Sequence, residues 1–141
     1  MERRDFVSHL SMALALACAG GLAACSKNEA DPPASGGNAL LSANLDSELQ
    51  NTGDFKIGGG VIVIRTASGN SAASFSALSS TCTHQGCTVA TFNKSAGLIE
   101  CNAPCGHGSR YTPDGGVNTG PATAALARKT IAISGNTLTV T

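Results

Sequence analysis

The sequence predicts an all-β domain, built as an antiparallel sandwich or barrel, and three observations predict it. From about Ala39 onward, short β-branched runs recur at regular spacing between turn residues. The chain ends in two such runs, Thr130–Ser134 and Thr137–Val140, around Gly135-Asn136, the pattern of a hairpin with a two-residue turn. Aromatic residues are scarce, with four Phe, one Tyr and no Trp, so the core rests on Val, Ile, Leu and Ala. At 141 residues the chain suits one domain with a modest core. A core of that size calls for extra support, which a metal centre or a disulfide supplies.

Residues 1–24 are set apart before any fold reasoning. Arg3-Arg4 opens a charged stretch, and an apolar Ala/Leu run follows from about Leu10 to Ala24. The run is short for a membrane-spanning helix and reads as a signal peptide. Arg3-Arg4-Asp5-Phe6-Val7 resembles the twin-arginine export motif, and Leu22-Ala23-Ala24-Cys25 resembles the bacterial lipobox, in which the Cys becomes a lipid anchor. The plainer alternatives are an ordinary basic leader and an unmodified Cys25 near an ordinary cleavage site. Cys18 inside the run reads as a small hydrophobe. Residues 25–38, rich in Pro, Gly and Ser, read as a flexible tether, leaving 39–141 as the folded domain. The expected location is the periplasm, with the chain lipid-anchored to a membrane. Ser26 after Cys25 leans toward outer-membrane sorting where a cell has two membranes.

Within the domain, the Leu41, Leu45, Leu49 spacing permits a short helix. Val61–Thr66 follows Gly58-Gly59-Gly60 as a strand, and Ser68-Gly69-Asn70 is a turn. Phe75–Leu78 and Thr88–Phe92 read as further strands. Asn93–Gly97 is a turn before the strand Leu98-Ile99-Glu100. No internal repeat is visible. The formal net charge is zero and no basic stripe stands out, which argues against a nucleic-acid partner.

The chemistry lies in two short segments. Cys82-Thr83-His84-Gln85-Gly86-Cys87 is the first, and Cys101-Asn102-Ala103-Pro104-Cys105-Gly106-His107-Gly108-Ser109-Arg110-Tyr111 is the second. Each follows an expected strand and has the Gly or Pro content of a loop. Four Cys in an exported chain are compatible with two disulfides in any of three pairings, but that leaves the two interspersed His unexplained. Mixed Cys/His donors are also zinc ligands, so a zinc- or disulfide-stabilised binding module without redox role is the rival of another class. No nucleophile–base constellation is visible outside these residues.

The first segment matches the Rieske box Cys-x-His-x-Gly-Cys. The second resembles the second Rieske box, Cys-Pro-Cys-His-Gly-Ser-x-Tyr, with insertions. Gly120-Pro121-Ala122 resembles the proline loop that covers the cluster in that family. The resemblance spans about Val61 to Val140 and implies a Rieske-type antiparallel β sandwich or barrel, with two cluster-binding loops at one end. It implies one [2Fe–2S] cluster held by Cys82, His84, Cys101 and His107, and a disulfide between Cys87 and Cys105. The second box departs from the family: five residues separate Cys101 from His107, and Pro104 takes the usual Cys position. A swapped assignment, with Cys105 as ligand and Cys101 in the disulfide, therefore stays open. Cys101 is preferred because it directly follows a strand.

In the family, neutral imidazoles replace two thiolates, which removes about two negative charges and raises the potential. Ser109 and Tyr111 match positions that hydrogen-bond the sulfurs and raise it further. A disulfide together with this Ser and Tyr implies a high-potential carrier working in an oxidising compartment. The resemblance also implies outward His nitrogens at the surface and a potential that falls as pH rises. Implied partners are periplasmic redox proteins such as a cytochrome c, or a membrane redox complex of cytochrome bc or arsenite-oxidase type. The chain reads as an electron carrier or oxidoreductase subunit rather than a stand-alone enzyme. Gln85 replaces the Leu common beside the His ligand of quinol-oxidising members, and with the lipid anchor this favours a free-standing carrier.

Overall fold

The computed structural model describes residues 38–102 and 105–141. The expected signal peptide, the expected lipid anchor at Cys25 and all of the expected tether except Asn38 lie outside the described residues, as do Ala103 and Pro104 of the second loop.

Among the described residues there are ten strands. They are β1 (Leu41–Asn44), β2 (Phe55–Gly58), β3 (Val61–Arg65), β4 (Phe75–Ser79), β5 (Thr91–Asn93), β6 (Leu98–Cys101), β7 (Ser109–Tyr111), β8 (Val117–Thr119), β9 (Ile131–Ser134) and β10 (Thr137–Val140). One 3₁₀ turn, Ala72–Ser74, precedes β4. The strands form three antiparallel sheets, ordered β1-β10-β9, β2-β3-β4 and β5-β6-β7-β8.

β3 organises the interior. Its five residues are all buried, and successive side chains point to opposite faces. Val61 and Val63 join Leu41, Ala43, Phe75, Ala77, Leu138 and Val140 in one core. Ile62 and Ile64 join Leu78, Phe92, Ile99, Cys101 and Tyr111 in the other. The middle sheet therefore packs against the terminal sheet on one face and the four-stranded sheet on the other. This explains why β3 reads as a continuous apolar run rather than an alternating one. The Gly59-Gly60 turn leads into it with both residues at positive φ, +56° and +75°. A Cβ on Gly59 would lie 1.8 Å from the Leu40 carbonyl oxygen, so only glycine fits there.

Arg65 ends β3 as a buried cation. Its Nε donates to the Leu49 carbonyl at 2.5 Å, Nη1 to the Gly69 carbonyl at 3.0 Å and Nη2 to Asn70 Oδ1 at 2.5 Å. The guanidinium also stacks 4.7 Å from the Phe75 ring centroid. One side chain thus ties two turns to the edge of the core.

The helix permitted at Leu41–Leu49 does not form. Leu41 lies in β1, paired with Val140, and the chain turns after Asn44. The Asn44 side chain accepts from Asp46 N–H, and its carbonyl accepts from Glu48 N–H at 2.7 Å. Leu41, Leu45 and Leu49 all reach the same core, so a strand followed by a tight turn satisfies the spacing that suggested a helix. The strand read at Thr88–Phe92 is shorter, Thr91–Asn93. Thr88 instead bridges Thr81 at the neck of the first loop.

Candidate metal centre

The first loop is the tip of a tight hairpin. Thr81 pairs with Thr88, the Cys82 N–H donates to the Cys87 carbonyl at 2.6 Å, and the Gly86 N–H donates back to the Cys82 carbonyl at 2.9 Å. Gly86 turns the chain at φ +75°. The second loop joins β6 to β7. Cys101 is the last residue of β6 and pairs with Ser109, the first of β7, so the loop opens and closes at one rung of the sheet. The Gly108 N–H donates to the Cys101 carbonyl at 3.3 Å across its base.

These two frames bring the chemistry-bearing residues together. Cys87 and Cys105 form a disulfide, with Cα atoms 6.3 Å apart, that links the loops. Cys82 and Cys101 are buried free thiols, each 2 % exposed. His84 and His107 meet nearer the surface, Nδ1 to Nδ1 at 3.3 Å, with rings nearly perpendicular at 87°. Among the described residues no group of three or more Cys, His, Asp or Glu converges on a single-ion site. The donors come two and two, a thiol pair inside and an imidazole pair outside.

The thiol pair sits in a polarised pocket. Tyr111, fully buried, places its hydroxyl 3.1 Å from Cys82 Sγ. The Thr83 N–H donates to the same phenolic oxygen at 3.1 Å, and Thr83 Oγ1 donates to the Ala124 carbonyl at 2.6 Å. The Tyr111 proton then has two acceptors in reach, Cys82 Sγ at 3.1 Å and Thr83 Oγ1 at 3.2 Å, and the sulfur is the nearer although the larger atom, so the proton is assigned to it. Burial raises the Cys82 thiol, but hydrogen bonds from Tyr111, the His84 backbone, Cys101 and Ser109 outweigh it, and the net shift is downward. Burial and the neighbouring Cys82 push Cys101 up to about 11. Burial and Cys82 also raise Tyr111, which keeps it a donor at neutral pH.

The Ser109 hydroxyl is fully buried and accepts the Ala122 N–H at 3.0 Å. That bond ties the Gly120-Pro121-Ala122 segment to the second loop. Two contributors were not singled out from the sequence. Thr83 fixes the Tyr111 hydroxyl and holds the segment at Ala124. Glu100, beside Cys101, accepts from Asn102 at 2.7 Å and Asn93 at 3.3 Å and pairs with Arg110 at 3.4 Å. Thr83 occupies the variable position of the first box, and Glu100 lies outside both boxes, so neither carried a signal.

A two-iron core with two thiolates on one iron and two imidazoles on the other needs donors grouped in this way. Two imidazole nitrogens about 2.1 Å from one tetrahedral metal lie about 3.4 Å apart, close to the observed His84–His107 spacing. The residues present fit such a cluster.

The comparisons agree. The family model for the Rieske [2Fe-2S] domain matches residues 40–131. No curated relative matches the chain. Among solved structures, the Rieske protein PetC3 of the plasma membrane of the cyanobacterium Synechocystis PCC 6803 is 32% identical, with 57% of this chain and 75% of that chain covered and a TM-score of 0.48. The ferredoxin of carbazole 1,9a-dioxygenase from Nocardioides aromaticivorans IC177 is 21% identical over 72% of this chain and 95% of that chain, with a TM-score of 0.52. A chain of a hyperthermophilic respiratory Complex III is 24% identical over 71% of this chain and 73% of that chain, with a TM-score of 0.54. The two loops, their paired donors and a family match over well over half of its length make this chain a member of the Rieske [2Fe–2S] family, an electron-transfer domain that carries one such cluster.

Proposed function

We propose that the protein is a high-potential electron carrier working on the outer side of the bacterial cytoplasmic membrane, tethered by a lipid on Cys25. Cys82 and Cys101 would hold one iron, and His84 and His107 the other. When bound, a cluster with this ligand set exchanges one electron, and Rieske centres span about −150 to +300 mV.

The observation that carries the high-potential reading is the Tyr111 hydroxyl, 3.1 Å from Cys82 Sγ. A buried donor aimed at sulfur favours the electron-rich state and so raises the potential. Ser109, fully buried, adds to the same effect at Cys82. The Cys87–Cys105 disulfide clamps the loops, and a disulfide persists in an oxidising compartment. That supports export, as does the leader. The partner is a periplasmic redox protein such as a cytochrome c, or a membrane redox complex.

Redox titration of the loaded protein tests the reading. A midpoint potential in the upper part of the Rieske range, above about +100 mV, is expected, and one below zero contradicts it. Fractionation of cells expressing the full chain tests the anchor. The wild type is expected in the membrane fraction and Cys25→Ala in the soluble fraction. Soluble wild type would refute lipid anchoring.

A further inference from the structure

We propose that electrons leave through an uncharged face, and that the partner which fits it is a redox protein whose own electron-exit point is ringed by uncharged residues. The inference rests on the cluster reading above and specifies the partner's chemistry.

Three segments build the face. The two loops touch at His84 and His107 and are joined by the Cys87–Cys105 disulfide. The third segment, 120–125, is bound to both: the Ala122 N–H donates to Ser109 Oγ, and Thr83 Oγ1 donates to the Ala124 carbonyl. None of the three contains a formal charge. No Asp, Glu, Lys or Arg occurs between Arg65 and Lys94, from Cys101 through Ser109, or from Gly115 through Ala127. The exposed residues of the three segments include Thr83, Gln85, Gly106, Pro121, Thr123 and Ala125, all uncharged and mostly small.

The charges lie elsewhere and largely cancel. Glu48 pairs with Lys56 at 2.5 Å, Asp54 with Lys94 at 2.6 Å, Glu100 with Arg110 at 3.4 Å and Asp114 with Arg128 at 3.9 Å. Arg65 is buried beneath its carbonyl partners. Paired charges act as dipoles, whose fields decay faster than those of single charges, so little field reaches an approaching partner. Association then falls in the unsteered regime, about 10⁵–10⁶ M⁻¹s⁻¹, rather than the steered one. A charged ring on a partner would be desolvated against this face without a countercharge, which disfavours such partners. Small side chains instead expose backbone amides, carbonyls and Thr hydroxyls, which select by shape and hydrogen bonding.

The test uses the loaded mature protein, its cluster verified by electron paramagnetic resonance, in stopped-flow oxidation at fixed pH. The oxidants are ferricyanide, tris(phenanthroline)cobalt(III) and a lysine-ringed cytochrome c. Between about 10 mM and about 500 mM salt, each second-order rate constant is expected to change less than about twofold. Placing charge on the face creates the missing dependence. Gln85→Lys raises the low-salt rate with ferricyanide by about fivefold, and Thr123→Glu lowers it, both effects vanishing at high salt. A tenfold salt effect in the wild type overturns the uncharged face, and indifference to both substitutions overturns its role as the exit. Absence of a Rieske signal before mixing refutes the cluster reading itself, and the partner inference falls with it.

Discussion

Replacing Tyr111 with Phe removes one oxygen and leaves the ring, which isolates the hydrogen bond from the packing. The residue is fully buried, and its hydroxyl lies 3.1 Å from Cys82 Sγ. A hydrogen bond to a charged acceptor contributes about 1.5–3 kcal/mol. Only the part that differs between redox states moves the potential. If about half depends on the added electron, the difference is about 1 kcal/mol, or about 40 mV for a one-electron couple. The donor favours the reduced state, so its loss lowers the potential. Voltammetry on wild type and Tyr111→Phe reads this directly. Ile99→Val is the control: Ile99 pairs with Tyr111 across the sheet and is fully buried, but its side chain has no hydrogen-bond donor to give a sulfur. It is expected to cost about 1 kcal/mol of stability while leaving the potential within about 10 mV of wild type. A Tyr111→Phe potential equal to or above that of wild type would refute the assignment of the Tyr111 proton to Cys82.

Three further outcomes follow from the same structure. Replacing Cys87 and Cys105 together by Ser opens a link of sequence separation 18 and is expected to lower stability by about 3 kcal/mol in denaturant unfolding; an unchanged midpoint would contradict its role as a clamp. Gly59→Ala must place a Cβ against the Leu40 carbonyl at positive φ and should cost on the order of 2–4 kcal/mol, whereas Gly60→Ala, with open space around it, should cost about 1 kcal/mol; equal losses would contradict the close-approach argument. Hydrogen bonds from Lys56, Lys94 and Thr112 hold Glu48, Asp54 and Asp114, respectively, below the usual carboxylate range. The unfolded chain therefore binds more protons between the two sets of pKa values, so this stabilisation is present above them and is lost as pH falls below about 4. Asp114 is exposed and Glu48 and Asp54 are only half-buried at the surface, so the effect is modest, and stability that rises on acidification through that window would contradict it.

Much of the fold was legible because its strongest signals are local. The β-branched run of β3 and the terminal hairpin around Gly135-Asn136 appear where the pattern places them. β2, β7 and β8 were not anticipated. β2 is half-buried throughout and β8 exposed throughout, so neither alternates, and β7 lies within the second box, where its residues read as loop. The Leu41–Leu49 spacing misled because a strand and a turn feeding one core mimic a helical period. In the site, the boxes named the candidate donors, but the spacing of the second left its two Cys interchangeable. The structure joins Cys105 to Cys87 and leaves Cys101 beside Cys82. Thr83 and Glu100 were invisible because their roles depend on partners distant in sequence or outside the motif.

The most direct test of the central claim is electron paramagnetic resonance of the dithionite-reduced protein, with iron and zinc assayed on the same sample. A Rieske-type signal with about two irons per chain is the expected result. An all-cysteine signal, or stoichiometric zinc with no signal, would contradict the pairing of Cys82 and Cys101 on one iron with His84 and His107 on the other.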